Sequence, residues 1–337
     1  MGKKARIGVI GCGGMANSVH LPSLSEINDC DVVAVCDLIE EKVNRAGERF
    51  GVARRYTSHL AMLREEPLDG VVCLVEPDRM YRVVYDCLTA GLPAMMEKPA
   101  GINAYQADSL ARTAEKTGKM LAVAMNRRHI PLVKHVFKRM KELTPITQVD
   151  GVFIKSSDIA SGWHYMNAFV SDIIHAVDLI RYLAGSEPET AATVAARFNS
   201  PIDNAWSSVI RFRNGVTGTL KSNYQTAGRV HSFEIHGPKA SAFINLGFGE
   251  AACDATILHA AGKHIYSLAS AGVQQPNSEK IDGMAMVNSD QYYQYSGFKQ
   301  ENEDFVRCLL TGQAPLCPIA DAAKSMHMAE MLLEKAI

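Results

Sequence analysis

Apolar runs of strand length alternate with amphipathic stretches through the first 125 residues. Arg6–Ile10, Val32–Cys36, Asp69–Val75, Pro93–Met96 and Met120–Ala124 read as strands. The Asp69–Val75 run is continuously apolar, which suits a sheet buried on both faces. Between the strands the pattern predicts helices, one directly after Gly11–Ala16 and three further on. One covers Ile39–Phe50 and stops at Gly51. One covers Asp78–Ala90, with Asp78 as N-cap and Gly91 past its end. One covers Asn103–Thr117 and stops at Gly118. Such alternation specifies an α/β fold with a doubly wound parallel sheet. Its ligand should lie across the carboxyl ends of the strands.

The pattern changes after Asn126-Arg127-Arg128. A helix over 130–141 precedes a strand near Thr147–Ser156 and a helix from Asn167 to Ala184, which Gly185 stops. From Thr190 to Leu246 the chain reads as successive antiparallel strands. Asn214-Gly215 is a hairpin turn between Ser207–Arg213 and Val216–Ser222, and Gly237-Pro238-Lys239 is another turn. Residues 247–296 show no clear period. Helices near Phe298–Leu310 and Asp321–Glu334 close the chain. The expected organisation is a dinucleotide-binding Rossmann domain over 1–126 and an α+β domain over 127–337. The second domain is expected to bind substrate and carry a large, mostly antiparallel sheet, with the terminal helices free to pack back on the first. Helices on one face of that sheet would leave the other uncovered, which predicts a homodimer or homotetramer.

Length and composition narrow the class. The chain has 337 residues, 47% apolar and 21% charged, as in ordinary globular proteins of about two domains. A net charge of −1 argues against nucleic acid or an anionic membrane as partner. Met1-Gly2-Lys3-Lys4-Ala5-Arg6 leads straight into the first strand with no apolar core of signal length, so a cytoplasmic protein is expected. There are eight cysteines. Cys12, Cys36 and Cys73 fall in or beside core strands and no Cys-x-x-Cys occurs, so reduced buried thiols are expected, and no metal site.

The chemistry begins at Gly11-Cys12-Gly13-Gly14-Met15-Ala16, directly after the first strand. Gly11 permits a tight turn, Gly13 lets backbone approach a pyrophosphate, and Ala16 lets the helix sit close to the strand. The helix N-terminus offers free N–H groups to the phosphates. Asp37 closes the second strand 26 residues after Gly11, where a carboxylate accepts hydrogen bonds from ribose hydroxyls. No Arg or Ser stands beside Asp37 to receive a 2′-phosphate, so NAD is favoured over NADP unless Arg45, Arg54 or Arg55 folds back.

Glu97-Lys98-Pro99 ends the fourth strand, where the nicotinamide half should lie. A lysine there can polarise or deprotonate a substrate hydroxyl, and the Lys98–Pro99 bond is a candidate cis peptide. In Asp172-Ile173-Ile174-His175-Ala176-Val177-Asp178, regular helical spacing puts 172, 175 and 178 within about 120° of one helix side, beside an apolar stripe. His175 is a candidate general acid/base there, or a core histidine satisfied by a carboxylate. Arg128, Trp163, His164 and Tyr165 are candidate substrate contacts.

Taken together, these segments resemble the Gfo/Idh/MocA oxidoreductases, the glucose–fructose oxidoreductase and inositol dehydrogenase group, over nearly the full length. The carriers are Gly11–Ala16, Met96-Glu97-Lys98-Pro99, Val123–Arg128, Asp172–Leu183 and Phe233-Glu234-Ile235-His236-Gly237. The resemblance implies an NAD(P)-dependent enzyme that moves hydride between nicotinamide and a secondary hydroxyl of a sugar, inositol or related polyol. It implies Lys98 on the reacting hydroxyl, His175 as acid/base and Asp172 on substrate or His175. It implies a cofactor set of Gly11, Gly13, Gly14, Met15, Ala16, Asp37, Glu76, Pro77, Glu97, Lys98 and Asn126. Alternatives are a redox-neutral NAD-retaining glycosidase or epimerase type and a non-catalytic NAD(H) sensor. Two departures stand out. Ser171 occupies the position four before His175 that usually carries an acid. The third-strand exit reads Glu76-Pro77-Asp78 in place of Thr-Pro-Asn, with Tyr81 where a histidine would follow.

Overall fold

The computed structural model describes residues 3–158, 166–248, 252–259 and 277–337. The chain forms two compact units. The first contains residues 1–129, 169–174 and 291–330. The second contains 130–168, 175–290 and 331–337.

The first unit is built on six strands: β1 (Ala5–Ile10), β2 (Cys30–Cys36), β3 (Arg54–Tyr56), β4 (Gly70–Cys73), β5 (Ala94–Glu97) and β6 (Leu121–Ala124). Their order is β3-β2-β1-β4-β5-β6, every pair parallel. This is the doubly wound Rossmann order, with its reversal between β1 and β4. Helices α1 (Leu21–Ser25), α2 (Glu40–Phe50), α3 (His59–Glu65), α4 (Pro77–Thr89) and α5 (Ala104–Thr117) connect the strands. Buried apolar side chains such as Ile7, Val9, Val35 and Val72 fill the sheet faces, each worth about 1.5–3 kcal/mol of transfer free energy.

Between β2 and β4, two elements escaped the sequence reading. β3 is three residues of Arg-Arg-Tyr, polar and at the sheet edge, so no apolar run announces it. α3 is seven residues long and starts at the Ser58 cap. One boundary also moves. Glu76, not Asp78, is the N-cap of α4, because Pro77 takes the first helical position, where its fixed φ suits the helix and its missing N–H costs nothing.

The second unit opens with α6 (Pro131–Leu143) and β7 (Gln148–Ser156). A π-helical turn, Phe169–Ile173, is assigned to the first unit, and α7 (Ile174–Ala184) continues from it into the second. β8 (Pro188–Ala196), β9 (Ala205–Phe212), β10 (Thr217–Asn223), β11 (Gln225–Gly237), β12 (Ala240–Leu246), β13 (Cys253–His259) and β14 (Asn277–Asp282) follow. They assemble with β7 in the order β14-β13-β12-β11-β7-β10-β9-β8. All neighbours are antiparallel except β7 and β10, which are parallel. The expected large, mostly antiparallel sheet is therefore present.

One sheet face is apolar and covered. Ile180 of α7 sits against Gly151 and Gly218, where an added Cβ would meet it at 2.9 and 3.6 Å. Phe153, Phe233 and Ile235 are fully buried on that face. The opposite face carries Val194, Val209, Asp150, Glu234 and Phe243, all at least partly exposed. A short helix α8 (Gly283–Val287) completes this stretch. The chain then adds α9 (Tyr292–Tyr295) and α10 (Phe298–Thr311) to the first unit, and α11 (Ile319–Glu334) mostly so. The aperiodic segment 247–296 thus supplies β13, β14, α8 and α9 among the described residues.

Candidate active site

The turn after β1 is shaped by its glycines. Gly11 has φ +101°, and a Cβ there would lie 2.5 Å from the Leu74 carbonyl oxygen. A Cβ at Gly13 or Gly14 would meet nothing within 4 Å. Space that a side chain would fill is therefore left open above the turn, as a pyrophosphate needs. Asn17 closes the turn from inside by donating Nδ2 to the Cys12 and Gly13 carbonyls at 2.8 and 2.9 Å. The following helix carries Pro22, which cannot donate to the preceding turn. The residues just before it, Ala16–His20, adopt wider π-helical bonding.

Asp37 is braced against the turn. Its Oδ2 accepts the Cys12 N–H at 2.8 Å and its Oδ1 accepts the Ile39 N–H at 2.9 Å. Each oxygen keeps a lone pair for a ribose hydroxyl. Burial, then the negative charge of Asp37, pushes the Cys12 thiol up to about 12, so it stays neutral beside the turn. A cleft of about 560 Å³ opens here, lined by Gly11, Gly13, Asp37, Ile39, Lys42 and Glu76. The residues fit the adenosine half of a dinucleotide. Arg45, Arg54 and Arg55 are engaged elsewhere: Arg45 with Glu41, Arg54 with Glu66, and Arg55 with Glu48 and the Val52 carbonyl. Lys42 and His59 line the same cleft and were not singled out from sequence.

At the other half of the sheet, β5 delivers Glu97 and Lys98. Glu97 is buried. Its Oε1 lies 3.1 Å from His20 Nε2, and its Oε2 accepts the Lys98 N–H at 3.0 Å. The Lys98–Pro99 bond is cis. Lys98 Nζ donates to the Ser171 carbonyl at 3.0 Å. The lysine thus ends beside the backbone of the residue that departs from the usual acid, and one residue from Asp172. His20 went unnoticed in the sequence, although a histidine four residues after Ala16, on a buried helix face, is a signal that it has a buried partner.

The remaining residues singled out from the sequence have varied surroundings. Tyr81 donates to or accepts from Ser109 at 2.8 Å and stacks on Tyr85, so it serves the α4–α5 contact. Asn126 is buried, with Nδ2 donating to the Ser296 carbonyl at 2.8 Å. Arg128 is 2% exposed and pairs with Asp321 at 2.5 Å, which ties the strand exit to α11. Met15 is exposed beside the glycine turn. Asp172 belongs to the π-turn of the first unit, whereas His175 and the fully buried Asp178 lie on α7 within the second. The regular spacing assumed for 172, 175 and 178 therefore does not hold, because Asp172 is in the wider turn. Trp163, His164 and Tyr165 lie outside the described residues.

Fold and turn together define a dinucleotide-binding Rossmann domain joined to an α+β domain. Residues 5–125 match the model of an oxidoreductase family with an NAD-binding Rossmann fold, and residues 142–243 match the GFO/IDH/MocA C-terminal domain. The chain belongs to the Gfo/Idh/MocA oxidoreductase family, and its first unit carries that family's NAD-binding domain. It is 29% identical over 231 residues to D-apiose dehydrogenase of Paraburkholderia graminis, covering 66% of this chain and 61% of that protein. The chain thus spans about three-fifths of the length of that relative. It is 26% identical over 253 residues to myo-inositol 2-dehydrogenase of Thermotoga maritima, covering 71% of this chain and 74% of that one. The crystal structure of a dehydrogenase from Chromobacterium violaceum superposes with a TM-score of 0.86 at 17% identity, covering 99% of this chain and 96% of that one.

Proposed function

We propose that this protein is an NAD(P)-dependent dehydrogenase acting on a secondary hydroxyl of a sugar, inositol or related polyol, with NAD the preferred cofactor. The observation that carries the reading is Lys98, an ammonium held at the carboxyl end of β5 by Ser171 while Glu97 receives its backbone N–H. Family membership and the names of the matched relatives support the substrate class. The bound nicotinamide would supply the hydride acceptor. Gly11, Gly13, Gly14 and Asp37 would hold the cofactor, with further contacts from Met15, Ala16, Glu76, Pro77, Glu97 and Asn126; of these six, Glu76 lines the cleft. Lys98 would hydrogen-bond the reacting hydroxyl and stabilise charge that develops on its oxygen. His175 would take the proton, and Asp172 would bind substrate or orient His175.

The test is a screen of purified protein with NAD against inositols, aldoses, sugar acids and amino sugars, following NADH absorbance. Lys98→Ala should lower turnover by about 10²-fold or more while NAD affinity stays nearly unchanged. Turnover that survives the substitution would remove Lys98 from its role. Altered sugar without net NADH would support the redox-neutral alternative.

A further inference from the structure

His20 ends the π-helical turn that follows the glycines, and its ring is fully buried. Nε2 lies 3.1 Å from Glu97 Oε1. Nδ1 lies 3.2 Å from Asn302 Nδ2 and 3.3 Å from Asn302 Oδ1. Asn302, on α10, is fully buried as well, and its Nδ2 also donates to the Phe298 carbonyl at 2.8 Å. Phe298 meets the same imidazole edge-on, with ring centroids 5.9 Å apart. α10 therefore holds the ring from one side, while the other side faces a single carboxylate oxygen.

A carboxylate accepts hydrogen bonds and does not donate them, so the contact with Glu97 requires a proton on His20 Nε2. A neutral ring that accepts from Asn302 Nδ2 carries that proton, and so does a charged ring that donates to Asn302 Oδ1. Glu97 thus receives two N–H groups: that of His20 on Oε1 and the Lys98 backbone N–H on Oε2 at 3.0 Å. Together they fix the carboxylate at the last residue of β5 and leave each oxygen a lone pair. Loss of the His20 donor would leave a buried acceptor short of a partner and its side chain free to turn. Asp37 stands at the end of β2, three strands away from Glu97, or about 14 Å across the sheet. The adenosine end and the Glu97 end of the site can therefore be disturbed separately.

We propose that His20 is a positioning residue that, by donating Nε2–H to Glu97, aims this carboxylate at the nicotinamide half of the cofactor. Asn302 holds the ring in the orientation that does so. The inference rests on the cofactor reading above.

The experiment is equilibrium binding of NAD⁺ and of ADP to the full-length protein, for wild type, His20→Asn and His20→Gln. ADP lacks the nicotinamide half. The glutamine amide reaches the place of Nε2, whereas the asparagine amide ends near the place of Nδ1 and falls short of Glu97. A thermal unfolding curve checks that each variant folds. His20→Asn should weaken NAD⁺ binding about tenfold or more and leave ADP binding within about twofold of wild type. His20→Gln should bring NAD⁺ binding back to within about threefold of wild type. Equal loss of NAD⁺ and ADP binding would make His20 a support of the glycine turn and overturn the inference. Unchanged NAD⁺ binding in His20→Asn, or no recovery in His20→Gln, also overturns it. If His20→Asn does not fold, Asn302→Ala carries the test, because it leaves the histidine but releases the far side of its ring. NAD⁺ binding should then weaken with ADP binding unchanged, and any other pattern overturns the inference. Failure of wild type to bind NAD⁺ overturns the cofactor reading, and the inference with it.

Discussion

Gly11 and Gly13 sit two residues apart and are needed for different reasons. Gly11 holds a positive φ, with the Leu74 carbonyl 2.5 Å from where a Cβ would stand. Gly11→Ala should cost about 1–3 kcal/mol of strain, plus whatever shift relieves the clash, and should show as a lower Tm. Gly13 borders open space, so Gly13→Ala should leave Tm unchanged and weaken NAD binding at least about tenfold, measured by fluorescence titration. Equal effects on Tm would mean that Gly13 is structural as well. These roles were legible from sequence because a glycine turn writes its backbone requirement into residue identity. The buried contacts of His20 with Asn302 and Glu97 were not legible. His20 and Asn302 stand 282 positions apart, and a polar residue on a buried helix face says that it has a partner without saying which.

Among the elements, the strands and long helices announced themselves through apolar period, while short polar pieces did not. Arg54–Tyr56 pairs with β2 only because the sheet edge accepts it. The π-turn at Phe169–Ile173 was equally hidden, since nothing in Phe-Val-Ser-Asp-Ile distinguishes it from α-helix. The short turn Asn126–His129 between β6 and α6 carries a buried arginine. From sequence, Arg128 is a candidate substrate contact. Here it is buried against Asp321, whose side chain is 29% exposed. Arg128→Ala would strand a partly buried carboxylate and should cost about 2–3 kcal/mol in denaturant unfolding. The KM for substrate, once one is known, should stay within about twofold in the folded fraction, far below the roughly 1.4 kcal/mol of a tenfold binding loss. A large KM effect without loss of stability would restore Arg128 to the substrate site.

At the scale of the whole molecule, the open face of the second sheet is the feature that the monomer leaves unexplained. An antiparallel sheet can present one face to water, but then the face should read as polar. Here Val194 and Val209 are 57% and 61% exposed on neighbouring strands, and Phe243 is 39% exposed on the same face. At its centre Asp150, Glu234 and His236 hold one another, with His236 Nε2 3.0 Å from Glu234. Eight strands at about 4.8 Å spacing and about seven residues each give a face of roughly 900 Å². That exceeds the roughly 800 Å² per partner that a stable interface uses. A second copy supplies a self-complementary surface, since a two-fold axis sets the same face against itself. The protein should therefore sediment as a dimer or tetramer at micromolar concentration. Val194→Lys with Val209→Lys places unpaired charges within the apolar part of the face. That double variant should shift the boundary toward monomer while its Tm falls only modestly, because both side chains already stand in water in the single chain. Wild type sedimenting as a monomer would overturn the interface. An unchanged boundary in the double variant would move the interface to another surface.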